Sequence, residues 1–189
     1  KMKQIRRVLE QKILQRLQPG KVIVLYGARR TGKTYLLRRL LEQVAEPYLL
    51  LNGEDKAVQD QLAERSVAQY RTFLGDRRLL VVDEAQKIPE IGAKLKLMVD
   101  EIEGLKVLVT GSSAFDIHQQ FGEPLTGRKL SYRLFPIAEM EWASEENMLE
   151  QKTRLHERLV LGSYPELIHL PNREQKTEYL RELVSSYLL

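Results

Sequence analysis

The segment Gly27-Ala28-Arg29-Arg30-Thr31-Gly32-Lys33-Thr34 constrains this chain more than any other, because of what lies on either side of it. Before it, residues 22–26 form a short apolar run rich in β-branched side chains, the pattern of a strand covered on both faces. After it, Leu36, Leu37, Leu40, Leu41 and Val44 recur at helical spacing. The segment fits G-x-x-x-x-G-K-[ST] at each fixed position, and strand–turn–helix is the setting in which that pattern works. Gly27 and Gly32 let the backbone curl so that successive N–H groups face an anion. The helix opening near Lys33 offers its positive end to the same anion. A Gly-containing turn can match by chance, but four fixed positions in the right setting count against it. The expectation is a nucleotide site in which Lys33 reaches the β- and γ-phosphates and Thr34 sets its hydroxyl on Mg²⁺. Gly27, Ala28, Arg29, Arg30, Thr31, Gly32 and Tyr35 complete the expected cofactor-binding stretch. Arg29 and Arg30 fill variable positions and read equally well as solvated loop charges.

The rest of the chain repeats the alternation that this segment starts. Ile5, Val8, Leu9, Ile13 and Leu17 make one apolar helix face, which Pro19-Gly20 ends. Further strands are expected at 48–51, 79–82, 107–109 and 130–135, with helices over 56–74, from about 91, and over 115–121. Strands separated by helices imply a parallel sheet covered on both faces, a three-layer α/β fold. From residue 137 onward only helical patterns remain, over 148–161 and 173–189. The expected division is therefore an ATPase-like core over 1–136 with its N-terminal helix, and a small helical lid over 137–189.

Leu79-Leu80-Val81-Val82-Asp83-Glu84 is an apolar strand that ends in two acids. Ligands of open α/β sheets sit at the carboxyl ends of the strands, so Asp83 suits Mg²⁺ opposite Thr34. Glu84, one residue on, suits the orientation and deprotonation of an attacking water. Alone, such a pair could simply cap a following helix. Strand four runs into Thr110-Gly111-Ser112-Ser113, where Ser112 is the first choice and Thr110 the second for a polar group between the carboxylates and the γ-phosphate; a helix cap explains the serines equally well. Arg128, just before strand five, suits stabilisation of γ-phosphate charge within the chain or from a neighbouring copy, or is a surface arginine at a strand entry. Asn52 could hold Glu84 in an inactive pose, although a turn before Gly53 is the simpler reading. Tyr164 and Pro165 could pack on an adenine ring, or merely turn the chain between helices. His118, His156 and His169 lack metal-ligand spacing, and Trp142 reads as a junction core residue.

Composition excludes more than it selects. In 189 residues, 43% are hydrophobic and 30% charged, which sets the chain among globular proteins rather than disordered ones. The net charge of +4 arises from 30 basic and 26 acidic side chains, intermixed, so it permits a polyanionic partner without arguing for one. Cysteine is absent, which excludes disulfides and thiolate metal sites and fits a reducing cytoplasm. Apolar runs are too short to span a bilayer, so no membrane partner is expected. Met2 reads as a start behind a tag scar, and Tyr187-Leu188-Leu189 stops without a cap, as if a further C-terminal domain were missing.

GARRTGKT, LLVVDEAQ, VLVTGSS, LTGR, FPIAEMEW and GSYPE together resemble the prokaryotic AAA-type ATPase domain AAA_14, often followed by a DUF4143 domain. The likeness covers about residues 3–189 and is specific as a set; the first two motifs are strong alone. It implies an additional-strand, catalytic-glutamate P-loop fold with strand order 5-1-4-3-2, a Walker A at 27–34 and a Walker B carrying Asp83 and Glu84. It further implies Ser112 as sensor 1, Arg128 at the arginine-finger position and Pro165 as the proline near adenine. Where the family often has two glycines before the aromatic-Pro-Glu, this chain has Gly162-Ser163, a departure at the tight turn and not at the proline.

Three functions follow as expectations. The first is an ATP- and Mg²⁺-dependent hydrolase, with Lys33, Glu84, Ser112 and Arg128 as catalytic groups and Thr34 and Asp83 at the metal. The second is a regulatory module that binds ATP or ADP with negligible turnover. The third, a small-molecule kinase, needs an acceptor site and finds no second phosphate-binding arginine cluster. No N-K-x-D base-reading motif favours GTP. A nucleic-acid partner and a homo-oligomer completed by Arg128 are further expectations, the first resting on the basic balance and the family's setting.

Overall fold

The computed structural model describes residues 5–112, 121 and 123–187. The expected short helix over 115–121 and His118 therefore lie outside the described residues, Phe121 excepted. Contacts divide the chain into two units, one of residues 9–29 and 33–134 and one whose described residues are 5–8, 30–32 and 135–187.

The larger unit is built on five parallel strands: β1 (Val22–Tyr26), β2 (Tyr48–Asn52), β3 (Leu79–Asp83), β4 (Lys106–Gly111) and β5 (Lys129–Arg133). Their order is β2-β3-β4-β1-β5, the expected order read from the other edge. The register pairs Val24 with Val109 and with Ser131, and Val82 with Val109. Alternation along the strands sends side chains to two separate cores. Val22, Val24, Leu80, Val82, Val107 and Val109 pack in one with Val58, Leu62, Tyr70, Leu74, Leu95 and Met98. Ile23, Leu25, Leu79, Val81 and Leu108 pack in the other with Ile13, Leu36, Leu37, Leu40 and Leu41. Each fully buried Leu, Ile or Val contributes roughly 1.5–3 kcal/mol of apolar transfer, and the first four residues of β3 are all completely buried. The edge strands β2 and β5 carry more exposed residues because each has only one neighbour.

Helices α1 (Val8–Arg16) and α2 (Lys33–Leu41) supply the second core. Helices α3 (Lys56–Gln61), α4 (Val67–Leu74) and α5 (Ile91–Glu101) supply the first. The single helix expected over 56–74 is two. Asp55 caps α3 by accepting the Ala57 N–H at 2.9 Å, and Ser66 starts α4 afresh by accepting the Gln69 N–H at 3.4 Å.

The smaller unit is helical over its C-terminal part: α6 (Glu139–Trp142), α7 (Met148–Leu161) and α8 (Arg173–Tyr187), with a tight turn at Pro165–Ile168. Asn147 caps α7 through two backbone N–H groups, and Glu150 returns a bond to the Asn147 N–H. Leu167, Tyr179 and Leu183 form one small core, and Ile5, Ile137 and Trp142 another. Trp142 is thus a core residue, with the Arg158 guanidinium 4.2 Å from its ring centroid. Among the described residues no helix is long and apolar enough to cross a membrane.

Candidate functional site

The loop from Gly27 to Thr34 leaves the carboxyl end of β1, and Asp83 ends β3; in the sheet, β4 lies between them. Gly27 is held hard against the segment just after β5: a Cβ there would lie 2.2 Å from the Leu134 carbonyl oxygen. Lys33 opens α2 and is 5% exposed, and its ammonium donates to the carbonyls of Gly27 and Ala28, both at 3.0 Å. Burial pulls this lysine below its ordinary pKa; the Glu84 and Asp83 carboxylates push it back up, and Arg29 adds to the lowering. Lys33 is therefore placed where both acids act on it.

Thr34 donates its hydroxyl to Asp83 Oδ2 at 2.9 Å. The two oxygens expected to share a divalent cation are thus brought together by the fold. A hydroxyl and a carboxylate are hard oxygen donors that suit Mg²⁺, which takes one or two protein ligands and completes its shell with water and phosphate. Among the described residues no group of three or more His, Cys, Asp or Glu side chains that could hold a metal ion occurs. The other carboxylate oxygen, Oδ1, accepts from the buried Thr110 hydroxyl, which also accepts the Glu84 N–H at 3.0 Å.

Glu84 has φ 50° and ψ 43°, a left-handed conformation that a glutamate adopts at a cost. Thr110 holds its N–H, its carbonyl accepts from Lys87, and Gly53 closes the space beside it: a Cβ on Gly53 would meet the Glu84 oxygen at 2.4 Å. Gln86 donates to Glu84 Oε2 at 2.6 Å and to Ser112 Oγ at 3.1 Å. Ser112, the first choice in the sequence, thus meets Glu84 through Gln86, while Thr110, the second choice, touches Asp83 directly. Neither Gln86 nor this division of labour is anticipated by the motifs.

Other candidates fall elsewhere. Asn52 accepts the Glu54 N–H at 3.0 Å with its side-chain oxygen, a local turn, the simpler of its two readings. Arg128 corrects the idea of a finger acting within the chain. It precedes β5, whose first residue pairs with Val22, so it stands at the amino end of the sheet. The strand length separates that end from the carboxyl ends by roughly 16 Å, and Arg128 is paired there with Asp100 at 2.6 Å. Tyr35 is exposed on the first turn of α2. Within the smaller unit, Arg30 has φ 62°, lies 5.3 Å from the Tyr179 ring centroid and 3.8 Å from Glu182. Pro165 Cγ is 3.8 Å from where a Cβ of Gly32 would be.

One buried group that the motifs do not flag is Arg7. Its guanidinium donates to Glu141 Oε2 at 3.0 Å, to the Thr31 carbonyl at 3.0 Å and to the Phe135 carbonyl at 2.6 Å. These partners are 134, 24 and 128 residues away, so spacing gives no sign of them.

The sequence matches known proteins. An AAA-domain family model, AAA_14, matches residues 19–143. An uncharacterized protein of Methanocaldococcus jannaschii, MJ1544, is 26% identical over 96% of this chain and 43% of its own length. The uncharacterized protein Rv2008c of Mycobacterium tuberculosis is 31% identical over 59% of this chain and 24% of its own. The chain thus spans less than half the length of these curated relatives. Among solved structures, DnaI is similar at a TM-score of 0.47 and 14% identity, covering 68% of this chain and 79% of that one. A Bacteroides Pif1 helicase in complex with ADP-AlF3 and ssDNA is similar at 0.48 and 17%, covering 72% and 43%. The chain belongs to the AAA_14 family of AAA domains and has the fold of an AAA-type P-loop NTPase.

Proposed function

We propose that this domain binds ATP with Mg²⁺ and hydrolyses it to ADP and phosphate. The observation that carries the reading is the Thr34–Asp83 contact of 2.9 Å beside Lys33, with Glu84 next in the chain and turned by a left-handed backbone. Backbone N–H groups of the loop 27–34, the dipole of α2 and the Lys33 ammonium bind the β- and γ-phosphates. Thr34 and Asp83 would hold Mg²⁺, which when bound would supply positive charge to the phosphate oxygens. Glu84 takes the proton of the attacking water as its oxygen bonds to the γ-phosphorus and the bond to the ADP oxygen breaks. Gln86, linking Glu84 Oε2 to Ser112, orients that carboxylate. Pro165, beside Gly32, contributes to the cofactor site, and Arg128 acts on a neighbouring copy's nucleotide. The cytoplasm is the setting proposed. A nucleic-acid partner would reveal itself by affinity that falls steeply with salt.

The same Gln86 contact supports a second reading, a switch with negligible turnover, in which Glu84 is held away from water. Phosphate release separates the two. Under the first, wild type releases phosphate from MgATP and Glu84→Gln abolishes release while keeping nucleotide affinity. A folded wild type that binds ATP and releases none, alone or with DNA, refutes hydrolysis and leaves the switch.

A further inference from the structure

We propose that Arg7 is a positioning residue for the phosphate loop, acting through the Thr31–Gly32 peptide; this rests on the nucleotide-site reading above. The argument starts from the peptide bond. A trans peptide is planar, so the Thr31 carbonyl and the Gly32 N–H point in opposite directions. Arg7 Nη1 fixes that carbonyl at 3.0 Å. The Gly32 N–H is thereby turned to the other side, which is where an anion cradle needs its donors. Gly32 has φ 94°, a conformation that a residue with a Cβ resists, and Arg7 Nη1 lies only 3.7 Å from where that Cβ would sit.

The guanidinium is itself anchored from every side. Nε donates to Glu141 Oε2 at 3.0 Å, and Nη2 donates to Phe135 O at 2.6 Å and more weakly to Pro136 O at 3.5 Å. Glu141 is anchored in turn, with Oε1 accepting the Val8 N–H at 2.8 Å and Oε2 the Ala138 N–H at 3.0 Å. The Arg7 and Glu141 side chains are each 6% exposed. If the Thr31 carbonyl swung away, a buried charged donor would lose its acceptor, so the peptide is held in one orientation. Lysine cannot replace this arrangement, because one ammonium cannot serve carboxylate and carbonyls lying in three directions of a planar fork. All of these residues belong to the unit containing the C-terminal helices, so the loop's peptide is oriented by that unit before any phosphate arrives.

The test is Arg7→Lys, compared with wild type by thermal melting, by ADP affinity in Mg²⁺, and by the Gly32 backbone amide in ¹⁵N-labelled protein. In wild type, ADP shifts the Gly32 amide proton downfield as it bonds to phosphate. The variant is expected to bind ADP about tenfold more weakly, the value of one misdirected hydrogen bond, with a reduced Gly32 shift. A purely structural role would lower the melting point and leave the shift at saturating ADP unchanged. Should Arg7→Lys fail to fold, Glu141→Gln keeps the guanidinium but weakens its anchor, and the same resonance is read. A folded variant with wild-type affinity and a wild-type Gly32 shift overturns the proposal alone. A wild type that takes up no nucleotide overturns the nucleotide site first, and this proposal with it.

Discussion

Replacing Thr110 by valine probes the hinge between the two acids with little change of shape. The Thr110 hydroxyl is fully buried, donates to Asp83 Oδ1 and accepts the Glu84 N–H at 3.0 Å. Valine removes a hydrogen bond to a carboxylate, about 1.5–3 kcal/mol, and strands a part-buried backbone N–H, a cost of about 1–3 kcal/mol. The two overlap, because Asp83 keeps its Thr34 bond and can turn, so the net destabilisation expected is about 2–4 kcal/mol. For a chain of this length each kcal/mol moves Tm by about 2–4 °C. Circular dichroism should therefore show Thr110→Val melting about 5–15 °C lower. Thr110→Ser keeps the hydroxyl and loses only a methyl, for roughly 1 kcal/mol. Glu84, released from its left-handed turn, should also lose its aim, and phosphate release should fall in the valine variant more than in serine. If valine and serine variants melt together and turn over alike, the hydroxyl does not organise these acids and the reasoning fails.

Further outcomes follow from the same geometry. Gly27→Ala would put a Cβ 2.2 Å from Leu134 O, straining the Tyr26–Leu134 bond of 2.6 Å, and should cost about 1–3 kcal/mol, checked by urea unfolding. Lys33→Met should weaken ATP binding about 10- to 100-fold by calorimetry, since a hydrogen-bonded charge on phosphate is lost. Glu146→Ala should destabilise the helices around Trp142 by about 1–3 kcal/mol, because Glu146 is buried and bonded to Arg158 and Arg154, while Arg158 keeps Glu139 and Arg154 is half exposed; fluorescence of Trp142, the single tryptophan, reports it. Burial works against the Glu146 carboxylate, but the arginine bonds overcome it and hold its pKa below the ordinary value. A depressed carboxylate stabilises above the unfolded pKa of about 4.3 and loses that contribution as pH falls through its folded value. Acid unfolding followed at Trp142 should therefore be flattened by Glu146→Gln, and an unchanged acid profile would count against the pairing.

The sheet was legible because its central strands are apolar throughout and the loop 27–34 declares a strand before it and a helix after it. The meeting of Lys33, Thr34 and Asp83 was legible for the same reason, their positions following from local pattern at strand ends. Thr110 outranks Ser112 at Asp83 for a reason that alternation along β4 contains. Leu79, Val81 and Leu108 share the α2 face of the sheet, and by parity so do Asp83 and Thr110, whereas Ser112 lies past the end of β4 at Gly111. The sequence left Arg128 open between action within the chain and on a neighbouring copy; a position just before a parallel strand is at the end away from ligands, which favours the neighbouring copy. Arg7 was not legible at all: two of its acceptors are backbone carbonyls, which leave no mark in a sequence, and its carboxylate partner Glu141 is 134 residues away. The break between α3 and α4 turned on Ser66, whose capping role competes with helix continuation and cannot be ranked by spacing alone.

Calorimetric titration of the folded chain with ATP, with and without Mg²⁺, reaches the central claim most directly. The account predicts saturable uptake of one nucleotide per chain, strengthened by Mg²⁺ and deprived of that strengthening by Asp83→Asn. Heats of dilution alone, from protein that melts cooperatively, would contradict it.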